Sequence, residues 1–104
     1  MEKKLNVGER IIISQILPKE GNFVTLKLIR DLQSKIGITA DEHSEYEIVQ
    51  ENDIVRWNEK GKEEKSFDFK TKELEIISKE LEKLDEDNKL NYQHFSIFEK
   101  FIGE

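Results

Sequence analysis

Cysteine is absent from the 104 residues. That removes disulfides, thiolate zinc sites and cysteine nucleophiles from consideration, and it fits a reducing cytoplasm. Proline occurs once, at Pro18, and no proline- or glycine-rich linker, internal repeat or low-complexity tract interrupts the chain. A single domain spanning residues 1–104 is therefore expected. Long apolar runs are also missing. The stretch from Ile11 to Leu17 is short and broken by Ser14-Gln15, so the expectation is neither a signal peptide nor a membrane span. The short phosphate-binding, nucleophile-elbow and zinc-protease motifs are absent as well. His43 lies among acids in an expected turn and His94 on an aromatic-rich segment. With no nucleophile–base arrangement to read, the chain is expected not to be an enzyme and to need no cofactor.

Charge is abundant. Charged residues are 38% of the chain and hydrophobic ones 36%, so a small core under a heavily charged surface is expected. Six Phe, one Trp and two Tyr supply that core, against wholesale disorder. The net charge of −6 is unevenly placed: residues 1–35 carry +3, residues 36–58 carry −5 and residues 59–104 carry −4. An acidic middle opposes phosphate binding there. It suits a partner with a basic groove or, more blandly, solubility alone.

The central stretch is Tyr46–Asn58, which contains the only Trp. Asn52 and Asp53 are residues that accept the backbone of a two-residue hairpin turn. That turn opposes Glu51 to Ile54, Gln50 to Val55, Val49 to Arg56 and Ile48 to Trp57. Side chains alternate along a strand, which places Tyr46, Ile48, Val55 and Trp57 on one face. The other face carries Glu45, Glu47, Arg56 and Asn58 around Val49 and Ile54. An apolar centre with a charged rim is the composition of an interaction patch; under a sheet covered on both faces, Val49 and Ile54 would instead be core.

Before the hairpin, Asn6 and Glu9 form a capping-box signal for a helix containing Ile12, Ile13, Ile16 and Leu17, which Pro18 ends. Asn22 caps a second helix with a stripe of Leu28, Ile29, Leu32 and Ile36, stopped by Gly37. Thr39 and Glu42 have capping-box spacing for a short acidic third helix. After the hairpin, Ser66-Phe67-Asp68-Phe69 alternates as a strand and is expected to complete a three-stranded antiparallel meander. Thr71 is read as the cap of a helix with Leu74, Ile77, Leu81 and Leu84 on one face, broken by Asp85-Glu86-Asp87-Asn88. Asn91 caps a last helix in which Phe95, Phe98, Phe101 and Ile102 point one way. The expected fold is α+β: an N-terminal helix pair, a three-stranded meander and a C-terminal helix pair.

Two sharper motifs fail on their details. Asp85 and Asp87 begin an EF-hand-like loop, but Lys89 and Leu90 occupy the fifth and sixth positions and Ser96 the twelfth, so no metal is expected. The two helices followed by a hairpin suggest a winged helix-turn-helix binding DNA through Lys27, Arg30 and Lys35. The would-be wing, however, carries Glu45, Glu47, Glu51 and Asp53, so nucleic acid is the less favoured partner.

At Ile16-Leu17-Pro18-Lys19-Glu20-Gly21-Asn22-Phe23, at Glu45-Tyr46-Glu47-Ile48 and at Trp57-Asn58, the chain resembles small uncharacterised proteins of tailed phages and prophages. The resemblance implies a bacterial host cytoplasm and accessory work such as inhibition of a host defence enzyme; it transfers no active-site residue. The expected function is thus a protein-interaction module using Glu45, Glu47, Val49, Ile54 and Arg56. DNA binding by Lys27, Arg30 and Lys35 is the alternative, and pairing of an exposed sheet edge with a second copy is a further option.

Overall fold

The computed structural model describes residues 1–52 and 54–103. In chain order these form β1 (Glu2–Leu5), α1 (Val7–Ile16), α2 (Phe23–Ile36), α3 (Ala40–Glu45), β2 (Val49–Glu51) and β3 (Ile54–Arg56). A 3-10 turn (Glu59–Lys62), β4 (Lys65–Asp68), α4 (Thr71–Glu86) and α5 (Tyr92–Phe101) follow. The α+β class holds, with five helices and two small antiparallel sheets among the described residues.

The helix starts follow local chemistry. The Asn6 side chain accepts from the Glu9 amide at 2.9 Å while Glu9 accepts from the Asn6 amide at 3.0 Å, the reciprocal bonds of a capping box. Thr39 and Glu42 repeat this at α3. Asn22 accepts from the Thr25 amide and Asn91 from the Gln93 amide, each at 2.8 Å. At α4 the expectation is corrected by one residue: Lys70 is the cap and Thr71 the first helical residue. The cap needs no hydroxyl, because the Glu73 carboxylate accepts from the Lys70 amide at 2.8 Å.

The three-stranded meander does not form. Among the described residues β2 pairs with β3 alone, and β4 pairs antiparallel with β1, matching Lys3 to Phe67 and Leu5 to Lys65. Between β3 and β4 the chain makes a turn in which Gly61 is buried, and this redirects β4 away from the hairpin. The strand missing from the sequence reading is β1, Glu-Lys-Lys-Leu. Its inward residue Lys3 reaches over the Phe101 ring, 5.8 Å from the centroid, and donates to the Lys100 carbonyl at 2.6 Å. A lysine stem lying on apolar surface with its head at a helix C-terminus is stable there, but it does not look like a core residue on the page.

The core gathers Leu5, Ile13 and Leu17, the α2 stripe Ile29, Leu32 and Ile36, then Phe69, Ile77, Leu81 and Ile97. Phe69 meets Phe101 edge-to-face at 5.5 Å. In α5 the buried residue is Ile97, whereas Phe95 is 61% exposed. The expected Phe95–Phe98–Phe101 face is therefore split, with Phe98, Phe101 and Ile102 packed against the core and Phe95 turned out.

Candidate functional site

The hairpin register is the one the turn dictates: Val49 opposite Arg56, Gln50 opposite Val55 and Glu51 opposite Ile54. Asn52 has φ of 55°, the left-handed backbone that Asn tolerates in such a turn. Asp53, the second residue of the expected loop, lies outside the described residues.

The strands are shorter than expected, which moves the acids. Glu45 is the last residue of α3 and Tyr46 its C-cap, so neither is on a strand. Glu47 follows with φ of 50°, outside the strand as well. Asn58 closes the base of the ribbon. Its amide donates to the Tyr46 carbonyl at 2.8 Å, and its side chain donates to the Glu45 carbonyl at 3.0 Å and to the Glu47 carboxylate at 3.2 Å. Trp57 seats the inner face. A methyl group built on Gly61 would stand 2.4 Å from the indole, and one on Gly8 would stand 3.0 Å from it, so both glycines leave room for the ring. Tyr46 is buried, but as the C-cap of α3 and not on the strand face expected for it.

The outward face is open. Val49 is 47% exposed and Ile54 55% exposed, with Glu51 and Arg56 exposed on the same face. Val49 and Ile54 are therefore surface residues and not part of the core. Beneath the ribbon, Val55, Trp57, Gly8, Ile12, Gln15 and Gln93 line a shallow recess of about 160 Å³.

The three bases of the DNA-binding reading are not brought together as free cations. Lys27 and Arg30 are exposed on α2, and Arg30 stands 3.8 Å from Asp31. Lys35 instead donates to Glu73 at 2.6 Å and to the Asp68 carbonyl at 2.7 Å, and lies 5.5 Å from the Phe69 centroid. His43 is exposed. His94 accepts from the Asn91 amide at 3.1 Å through Nδ1, and burial pulls its pKa down. Among the described residues, no three His, Asp or Glu side chains converge as a metal site, and no helix is long and apolar enough to cross a membrane.

Reading from sequence missed a buried ionic hub. Arg10, 3% exposed, forks onto Glu42 with contacts of 2.8 and 2.9 Å. It also donates to the carbonyls of Ile36 at 2.9 Å and Gly37 at 2.8 Å, the last of α2. Lys65 of β4 adds a third donor to Glu42 at 2.8 Å, and the guanidinium stacks 5.0 Å from the Phe67 centroid. The Arg10–Glu42 pair thus joins α1, the end of α2, α3 and β4. The Arg10 hydrogen bonds, with Lys65 and the Thr39 amide, hold the Glu42 carboxyl well below the usual carboxylate range despite its burial. The same contact raises Lys65. The available signal was a charge inside Arg10-Ile11-Ile12-Ile13, three residues before the buried Ile13. A second network joins Lys100 to Glu9 at 2.8 Å, to Glu64 and to the Lys4 carbonyl. Among the described residues no buried side-chain polar atom lacks a partner, so these groups hold the fold and leave no orphan for a ligand.

No family model, curated protein or solved structure matches this chain.

Proposed function

We propose that this chain is a non-catalytic protein-interaction module that engages a partner protein through the outward face of its hairpin. The observation carrying the reading is the half-exposed pair Val49 and Ile54, set between Glu51 and Arg56 on a ribbon anchored at its base by Asn58 and Trp57. An apolar centre with a charged rim matches the anatomy of protein interfaces. The ribbon pairs with no other described strand, so its edges are open to strand addition by a partner. Glu45 and Glu47 stand exposed at the base of the ribbon and extend the acidic rim, favouring a partner with a basic surface. In this proposal the chain is a phage or prophage accessory protein in the cytoplasm of a bacterial host. Its partner is a defence or nucleic-acid-handling enzyme whose basic groove it occupies.

The test is affinity capture from host lysate, with and without nuclease, comparing the natural chain with Val49→Asp/Ile54→Asp. A stoichiometric protein that survives nuclease and is lost with the double substitution supports the reading. Retention of that protein by the variant, or recovery of nucleic acid alone, overturns it. Reversal of Glu45 and Glu51 to Lys is expected to weaken capture and reduce its salt dependence. Glu47→Lys is the poorer probe, since it also removes the bond from Asn58.

A further inference from the structure

An exposed apolar surface lies away from the hairpin, at the corner where α4 hands over to α5. Tyr92 is 94% exposed and Phe95 61% exposed. Beside them Leu90, His94, Phe95 and Phe98 line a cavity of about 260 Å³ whose rim carries Asp85 and Glu99. A cavity of about 150 Å³ with apolar walls is enough for a benzene ring, so this one admits an aromatic side chain. Glu86 and Asp87, both exposed, extend the acidic rim.

A surface with the opposite character stands at the start of α2. Phe23 is 79% exposed and Leu26 40% exposed, and together with Lys27 and Arg30 they line one shallow depression. Their spacing of three, four and seven residues places all four on one helix face. That face is apolar at its leading end and basic behind. The two surfaces share no residue, and both are free at once.

We infer that the α4–α5 cavity of one copy receives the leading end of α2 from a second copy, with Phe23 entering between Leu90, Phe95 and Phe98 while Lys27 and Arg30 meet the Asp85 and Glu99 rim. Complementarity of apolar character and of charge sign selects this occupant. Buried aromatic anchors flanked by paired rim charges are the pattern of energetically important contacts. Because knob and socket are different surfaces, the contact is head-to-tail, and it propagates unless two copies exchange both contacts at once. It is independent of the hairpin and of any partner protein engaged there.

Sedimentation velocity of the full chain, from micromolar to millimolar concentration and at low and high salt, tests this. The natural chain is expected to show concentration-dependent association that weakens with salt. Phe23→Asp is expected to weaken association on the order of thirtyfold or more, the loss typical of a central aromatic anchor. Lys27→Glu/Arg30→Glu sets acids against Asp85 and Glu99, and Asp85→Lys/Glu99→Lys sets bases against Lys27 and Arg30, so each double variant alone is expected to remain monomeric. Mixing the two variants is expected to restore association, because each then meets its opposite. All of these positions are exposed, and circular dichroism checks that every variant is folded. A natural chain that stays monomeric throughout at low salt overturns the inference. So does association that survives Phe23→Asp, or variants that fail to associate on mixing.

Discussion

Glu42 and Glu51 lie nine positions apart in the same acidic stretch and have opposite fates. Glu42 is buried under Arg10, Lys65 and the Thr39 amide and, with Arg10, ties four elements together; Glu51 stands exposed on the hairpin ribbon. The difference teaches that charge density alone says nothing about role in this chain. A carboxylate becomes structural where a fork of donors is already in place to offset its desolvation, and it stays available to a partner where no such fork exists. A protein with this small an apolar core uses its ionic hubs to fix how its helices meet, while the hairpin is left to present side chains outward.

Breaking the hub has the largest expected effect. Arg10→Ala leaves Glu42 buried without its fork and exposes the Ile36 and Gly37 carbonyls to an unpartnered site. The expected loss is about 3–5 kcal/mol, a large share of a small domain's stability, read from urea denaturation. Replacing both partners, as Arg10→Met with Glu42→Leu, is expected to recover much of that loss, since no buried charge is then left unpaired and Lys65, which also loses Glu42, is half-exposed to water. Failure of the double variant to recover would show that the guanidinium's bonds to the α2 carbonyls matter more than its bonds to Glu42.

Acid titrates the same hub reversibly and more gently, because a protonated carboxyl still accepts hydrogen bonds. Glu42 and Glu73 are both held below their ordinary value of 4.5. For Glu73, burial pushes upward but Lys35 and the Lys70 amide outweigh it. A depressed carboxylate contributes stability that is present above the unfolded value and lost as pH falls from there towards the folded one. The urea midpoint is therefore expected to fall steeply below pH 4.5. His94 adds a shallower, earlier decline. Burial lowers it from 6.5, so the unfolded chain takes the proton first as pH drops through that value. Arg10→Met/Glu42→Leu separates the contributions, since it should remove the Glu42 share of the steep limb and leave the Glu73 share and the His94 limb in place.

At the base of the ribbon the effect is smaller. Gly61→Ala puts a methyl group 2.4 Å from Trp57, forcing the indole off its seat at about 1–3 kcal/mol. A red-shifted tryptophan emission together with a lowered melting temperature is the expected signature. An unchanged spectrum would mean that the turn relaxes and the ring stays.

Capping residues, the α2 stripe and the hairpin register were legible in the sequence because each is set by side chains within a few residues of one another. Asn6, Thr39, Asn22 and Asn91 act on amides two or three positions away, and the Glu51–Ile54 pairing follows from a two-residue turn. What was not legible depends on distant partners. The pairing of β1 with β4 joins residues sixty or more positions apart, and its inward lysine disguises the strand. Arg10 reaches Glu42 across thirty-two positions. The outward turn of Phe95 depends on Ile97 winning the inner face of α5. The candidate site was legible in its Val49–Ile54 centre and Arg56. Glu45 and Glu47 were misplaced because α3 runs on to Glu45 and the strand begins only at Val49.

The smallest stability effect is expected where the proposed function is largest. Val49→Asp and Ile54→Asp each replace a half-exposed side chain outside the core cluster, so each is expected to change unfolding free energy by no more than about 0.5 kcal/mol, as surface substitutions do. The contrast with Arg10 is the informative quantity. If either hairpin substitution instead costs as much as a core truncation, about 2–5 kcal/mol, the ribbon's outer face is part of the fold. Its exposure then no longer argues for a partner. If both are silent in unfolding and the pair abolishes capture, the division between charges that build the molecule and side chains that face outward holds at the level of single residues.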